Sequence, residues 1–410
     1  MQILMAYLFE DLTVIDAASF VAGPGAATIF ADFGAQVIKV EAPAGDAYRL
    51  LHGRYRTDYN WALTSRNKRD IAIDLYKEEG RAIMHRLVDS ADVLILNFRE
   101  DQLQQFELTV DELKKRNPRL VIAQLTAFGT QGPDGERRGY DTTAWWARTG
   151  ITDLLKPHQQ APTVPLGGVG DHASAMTLFA GIMMALYQRD RTGLGDYVET
   201  SLVANGCWSN GMHLQGAIAG FDLSEKLDEK GYRSPFSMIY QTKENRFLVL
   251  VIPNPEKDWP GLARCLGHPE WIEDERFTTL RSLMHHRDKV KEMIASAFLT
   301  MTVAQACRAL DTENLTYSIV EKLADVIKDA QLVENGVIVE TGSDDPDFKW
   351  TVANPIQMQG AAKVPPQDPP VIGQDTVNIL RDIGYSNAAI SAFAENGSIV
   401  TAQLTEESSE

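Results

Sequence analysis

The sequence is 410 residues long, beyond the size at which one hydrophobic core keeps growing, so two domains are expected. With 44% hydrophobic and 23% charged residues, its composition is that of an ordinary globular protein. A formal net charge of -17 argues against nucleic acid and anionic membrane surfaces as partners, and it obliges any polyanionic ligand to find a local basic pocket.

The opening MQILMAYLF is apolar but has no basic flank and runs into Glu10 and Asp11, so no signal peptide is expected. No apolar run approaches the ~18 residues of a membrane helix. Leu12–Ala18 (LTVIDAA) reads as a strand. Pro24 suits the first turn of a helix, where its missing N–H costs nothing, and AATIFADFG carries that helix to Gly34. QVIKVE follows as a second strand and completes a βαβ unit. DIAIDL, DVLILNF and RLVIAQLTAFG are further strands. Between them lie two helices: Glu78–Ala91, with apolar residues at helical spacing, and VDELKKRNP, ended by Pro118. Strands separated by helices imply an α/β fold with a mostly parallel sheet covered on both faces. After Gly170 a long apolar helix spans Ala173–Tyr187 and stops near the turn RTGLGD, and YVETSLVANGCWSNGM is a strand leading into another helix. From about Gly220 the texture changes. FDLSEKLDEKGYRSPF is a polar linker, SMIYQTKENRFLVLVI a hairpin turning at Glu244 and Asn245, and helices follow to about Val320. AAKVPPQDPPVIGQD is a Pro-rich connector to a last amphipathic helix, TVNILRDIG, and a polar end. The three cysteines, Cys207, Cys265 and Cys307, are far apart and form no CxxC pair, which suits a reducing cytoplasm and offers neither a disulfide framework nor a zinc site.

Four segments carry chemistry. In GGVGDHASAM (Gly167–Met176), glycines form a turn free of side chains and set Asp171 at the start of the long helix, where amide groups and the dipole favour a carboxylate. Asp171 is either a plain N-cap or a reactive carboxylate, with the backbone N–H groups around Gly168–Gly170 as candidate oxyanion donors. The segment AGPGAATIFADFGAQVIKVE has the Gly23-x-Gly25 and terminal Glu41 of a dinucleotide site, but Thr28 stands at the third-glycine position. SRNKRD is a solvated turn or, in so acidic a chain, a phosphate receptor built from Arg66, Lys68 and Arg69. In RRGYDTTAWWARTG, Arg137 and Arg138 precede Tyr140 and Asp141, and Trp145 and Trp146 belong to the core, an interface or a substrate wall. His172 follows Asp171, but neighbouring helical positions point ~100° apart, which disfavours a direct pair. No HExxH metal spacing and no G-x-S-x-G elbow occur, so no metal site is expected.

Taken in order, these segments resemble the class III CoA-transferases (CaiB/BaiF type), the family of formyl-CoA:oxalate and carnitine CoA-transferases. The resemblance covers nearly the whole chain, from LTVIDAASFVAGPGAATIFADFGAQVIKVEAP through SRNKRDIAIDL, DVLILNFRE, NPRLVIAQLTAFGTQGP, GYDTTAWWARTG and GDHASAMTLFAGIMMALYQRDRTGLGD to IGQDTVNILRDIGYSNAAI. Its texture is most similar to transferases of 2-hydroxy and aryl acids such as phenyllactate. The resemblance implies a Rossmann-like large domain formed by 1–220 and 346–410, a linker and smaller α+β domain in 221–345, and ring-shaped monomers interlocked as a homodimer. It implies a cytoplasmic enzyme that transfers CoA between an acyl-CoA and a free carboxylic acid, with acyl-CoA as substrate and no permanently bound cofactor. The catalytic aspartate of the family falls on Asp171. Its CoA-contacting positions fall on Val21, Ala22, Ile73, Asp74, Leu75, Asn97, Phe98, Arg99, Arg138, Gly139, Tyr140 and Asp141. Three departures stand out: Val21 replaces a glutamine of some members, Gln105 replaces a basic residue, and KGYRSPF stands near the place of the glycine flap of formyl-CoA transferase. An α-methylacyl-CoA racemase of the same fold is the alternative, but that branch has a histidine where Tyr140 stands, and a phenol of pKa ~10 is a weak base at neutral pH.

Overall fold

The computed structural model describes residues 7–51, 58–156, 160–221 and 234–402. Most of the polar linker, including the KGYR of the expected flap position, lies outside the described residues, as do the first six residues and the polar end. Contacts divide the chain into two units, Met1–Ala219 with Val333–Glu410, and Gly220–Leu332.

The larger unit is built on six parallel strands: β1 (Thr13–Asp16), β2 (Gln36–Glu41), β3 (Arg69–Ile73), β4 (Val93–Leu96), β5 (Val121–Thr126) and β6 (Tyr197–Ser201). The strand Ile399–Val400 adds antiparallel to β3, giving the order Ile399–Val400, β3, β2, β1, β4, β5, β6. The connecting helices are α1 (Ala22–Asp32), α2 (Tyr59–Ser65), α3 (Glu78–Ser90), α4 (Glu100–Gln105), α5 (Val110–Arg116), α6 (Ile151–Leu155) and α7 (Val169–Thr192), with α8 (Leu202–Ser209) and α9 (Gly211–Ile218) after β6. Successive strand residues face opposite ways, so Val14, Val37, Val93 and Val121 enter one core with Phe30, Leu178 and Ile182, while Ile15, Ile38, Leu94 and Ile122 enter the other with Ile83, Leu87 and Leu380. Strands covered on both faces read as continuous apolar runs, which is how these segments stand in the sequence.

Helix α7 begins four residues before the expected Ala173 and runs on to Thr192, where Gly193 at φ +76° ends it. The extra turn is held by Arg189, buried and paired with Asp92 at 3.0 Å. By length and composition α7 could cross a membrane, contrary to the expectation from apolar runs alone. Its inner residues Leu178, Ile182 and Leu186 are core residues of this unit.

The basic run SRNKRD is not a phosphate site. Arg66 is 2% exposed and forks onto Asp32 at 2.9 and 2.6 Å. The Lys68 ammonium is buried against Asp16 Oδ2 (2.8 Å) and the carbonyls of Pro24 and Thr64 (2.8 and 2.6 Å). Arg69 pairs with Asp382 at 2.9 Å. These charges tie α1, β1, α2 and the C-terminal return together. The return is anchored further where Gly373 donates to Asp70 (2.6 Å) and the Trp61 indole donates to Pro370 (3.2 Å).

The smaller unit carries the expected hairpin, β7 (Ser237–Gln241) and β8 (Phe247–Val251), with Asn245 at φ +57° in its turn. A third strand, β9 (Tyr317–Ile319), pairs antiparallel with β8 where the sequence suggested only helix. Helices Pro255–Cys265, Arg287–Phe298 and Val303–Thr312 share its core, around Leu248, Leu250, Trp259 and Phe298.

Candidate active site

In this sheet the strand order reverses between β1 and β4, and open α/β sheets bind ligands beyond the carboxyl ends of strands at such a point. A cleft of about 900 Å³ lies there, within the range of small-molecule sites. Its walls are Ser19–Ala22 after β1, Asn97–Glu100 after β4, Thr126 and Ala127 at the end of β5, Gly135–Tyr140, and Asp171.

The loop after β1 turns sharply at Phe20, whose φ of +68° is unusual for a residue with a side chain. Such a residue stores of order 1–3 kcal/mol and persists only where its surroundings fix it. The Asp46 carboxylate accepts from the Phe20 N–H at 3.3 Å and is itself paired with the buried Lys39 ammonium at 3.3 Å; Lys39 also donates to the carbonyl of Ala18. Asn97 clamps the loops after β1 and β4 by accepting from Ser19 N–H (3.0 Å) and donating to Ser19 O (2.9 Å). These clamps present Phe20, Val21 and Ala22 to the cleft, with the Tyr140 ring edge-on to Phe20 at 5.3 Å.

Two glycines of GGVGD have separate geometric duties. Gly168 starts α7 at φ +88°, and a Cβ on Gly170 would lie 2.3 Å from both Asp141 Oδ1 and the Trp145 ring. Asp171 therefore sits in the first turn of α7, half-buried at the cleft wall. The Gly170 N–H does not face the cleft: it donates to Asp141 Oδ1 at 3.1 Å, so it is not the free oxyanion donor the sequence suggested. Among the described residues no hydrogen bond reaches the Asp171 carboxylate. Burial, and secondly the charge of Asp141, push Asp171 up to about 7. Burial, and secondly Asp171, push the Tyr48 phenol up to about 12, so it stays neutral beside that carboxylate. No hydrogen bond joins His172 to Asp171.

Of the residues singled out in the sequence, Val21, Ala22, Asn97, Phe98, Arg99, Arg138, Gly139, Tyr140 and Asp171 line one cleft. The side chains of Ile73 and Leu75 are in the core below the sheet, and Asp74 accepts from the N–H of Tyr76 at 3.0 Å. Asp141 is 4% exposed and turned to the start of α7 rather than to the cleft. Trp145 and Trp146 pack in the core, edge to face at 4.8 Å. The basic groups at the cleft are Arg99, tied to Asp101 at 2.6 Å, Arg137, 3.5 Å from Asp134, and Arg138, which has no ion pair among the described residues. Sequence reasoning missed Phe20, Gln124, Thr130, Tyr197 and Glu199. The Tyr197 hydroxyl lies within hydrogen-bond distance of Gln124 Oε1 and Glu199 Oε2 (2.8 and 3.0 Å), with one proton to share between them, and Thr130 donates to Glu199 (2.8 Å). The period-two polar face Tyr197-x-Glu199 on β6 was the available signal. Among the described residues no group of His, Cys, Asp and Glu is placed to hold a metal ion.

The profile of CoA-transferase family III matches residues 9–376, and the chain belongs to that family. It is an enzyme that moves CoA between CoA thioesters and carboxylic acids. It is 30% identical over 403 residues to cinnamoyl-CoA:phenyllactate CoA-transferase of Clostridium sporogenes, covering 96% of this chain and 97% of that one. It is 27% identical over 396 residues to (R)-2-hydroxy-4-methylpentanoate CoA-transferase of Clostridioides difficile, covering 95% and 98%. The crystal structure of a CaiB/BaiF family protein from Brucella suis superposes with a TM-score of 0.79 at 25% identity, covering 91% of this chain and 98% of that one. These comparisons lend no support to the racemase alternative.

Proposed function

We propose that Asp171 is the nucleophile of the transfer. Its carboxylate attacks the thioester carbonyl of the donor acyl-CoA, the C–S bond breaks, and a mixed aspartyl–acyl anhydride and CoA thiolate form. The thiolate then attacks the aspartyl carbonyl, giving an aspartyl–CoA thioester and the free donor acid. The acceptor carboxylate repeats the sequence in reverse and leaves with CoA, returning Asp171 as carboxylate. Alternatively, the acceptor displaces the donor acid from the first anhydride and the thiolate takes up the new acyl group. Both routes balance without a net proton. The observation carrying this reading is a cleft-wall carboxylate with a raised pKa and, among the described residues, no hydrogen-bond donor, since a poorly solvated carboxylate is the better nucleophile.

Arg99 and Arg138 supply positive potential for the CoA phosphates, and Val21, Ala22, Asn97, Phe98, Gly139 and Tyr140 form the wall along which the CoA lies. The acids are 2-hydroxy or aryl acids, a reading supported by the names of the relatives and by the Phe20–Tyr140 ring pair at the cleft. The protein works as a homodimer, in keeping with the large apolar surface that α7, α8 and α9 leave exposed.

Mass spectrometry of CoA exchange between pooled acyl-CoAs and pooled carboxylic acids tests the substrate class. Asp171→Ala abolishes the exchange while acyl-CoA binding persists, and hydroxylamine added during turnover marks the peptide containing Asp171. Substantial exchange by Asp171→Ala rejects the nucleophile.

A further inference from the structure

Asp141 is a carboxylate with 4% exposure whose Oδ1 is held by an amide of another element, while its Oδ2 is buried with no hydrogen-bond partner among the described residues. It opens a π-helical segment, Asp141–Ala147, and its Oδ1 accepts from the Gly170 N–H at 3.1 Å, inside the first turn of α7. Burial raises the proton affinity of Asp141 overall, and the amides of Gly168, Gly170 and Val169 oppose that rise. A helix N-terminus offers a few unpaired N–H groups, and a carboxylate in its first turn ordinarily takes them. Here the carboxylate that takes one comes from outside the helix, and Asp171, the acidic residue of that turn, receives no hydrogen bond among the described residues. The fit is tight: any side chain at Gly170 would overlap both Asp141 and Trp145.

We propose that Asp141 is a positioning residue for Asp171: it clamps the first turn of α7, occupies an amide that would otherwise stabilise the Asp171 carboxylate, and sets a second negative charge beside it. This inference rests on the reading of Asp171 as nucleophile. Its chemical consequence is a basic, electron-rich carboxylate at a helix end that would normally quiet one. The other ionisable groups around Asp171 do not supply this effect. Tyr48 on the turn Ala47–Leu51 is held neutral, Tyr140 flanks Asp141 at the cleft, His172 follows on α7 without bonding to it, and Arg99, Arg137, Arg138, Glu136 and Glu199 stand around the same cleft. The raised pKa of Asp171, with Asp141 as the charge contributing to it after burial, agrees with the geometry.

The test uses the full chain and two variants: Asp141→Asn removes the charge while leaving an oxygen able to accept from Gly170, and Asp141→Ser removes the charge with a side chain one atom shorter. Infrared difference spectra across pH follow the carboxylic C=O band that titrates near pH 7 and is missing in Asp171→Asn. In both Asp141 variants its midpoint falls by about one pH unit, as loss of a neighbouring like charge requires, while the melting temperature identifies the variants that are folded. The acid limb of kcat/KM for exchange between cinnamoyl-CoA and phenyllactate moves with it. A midpoint unmoved in a folded variant overturns the inference even if Asp171→Ala is inactive. Exchange retained by Asp171→Ala overturns the nucleophile reading first, and the inference with it.

Discussion

Asp171 is ionised at a cost that the unfolded chain does not bear. Its folded pKa of about 7 exceeds the unfolded value of ~3.9, so between those values the folded state binds more protons than the unfolded one. Stability must then fall as pH rises through that window. Asp171→Asn removes the penalty: it melts above the wild type at pH 8, and the two converge as pH approaches 4. Calorimetry that finds the variant less stable at pH 8 would show that the carboxylate is stabilised rather than strained. Gly170→Ala has the opposite character. Its Cβ lies within 2.3 Å of Asp141 and Trp145, so the start of α7 must shift, and both exchange activity and melting temperature fall.

At the level of elements, two basic segments that look alike in sequence serve different ends. Lys68 is fully buried among Asp16 and two carbonyls, so Lys68→Ala strands the Asp16 charge and costs about 3–5 kcal/mol. Arg138 is exposed at the cleft and without an ion pair among the described residues. Arg138→Gln raises KM for acyl-CoA several-fold more than KM for the free acid and leaves the urea midpoint unchanged. Lys68→Ala lowers that midpoint. A KM defect confined to the Lys68 variant would reverse the two assignments. Numbers of arginines and lysines in a segment cannot separate these roles. The separation comes from whether the preceding helix carries the run into the core, as α2 does for Arg66 and Lys68.

For the whole molecule, the outer side of α7 and the helices after β6 leave Met184, Tyr187, Trp208, Met212 and Ile218 exposed, the last three by 77% or more. An apolar surface of this kind marks an association site. Sedimentation velocity is expected to show a homodimer that persists over about a hundredfold dilution, beyond what simple mass action on a weak interface allows. A monomer at the lowest concentration would remove both the dimer and the interlocked ring implied by the family resemblance.

The sequence alone determined the alternation of strands and helices, because strands buried on both faces need unbroken apolar runs and their crossover helices need a 3.6-residue period. It also placed Asp171 at the start of the long helix, since a glycine-rich turn before an apolar helix has few other meanings. It could not decide which charges are buried, which amide of that turn is free, or which way Asp141 faces. Each of these depends on contacts between segments far apart in the chain, such as Asp16 with Lys68, Asp46 with Phe20, and Asp141 with Gly170. The third strand of the smaller unit was missed for a related reason: a three-residue segment becomes a strand through its partner β8, not through its own pattern. Local periodicity is written in neighbouring residues, whereas pairing and desolvation exist only once the chain has folded back on itself.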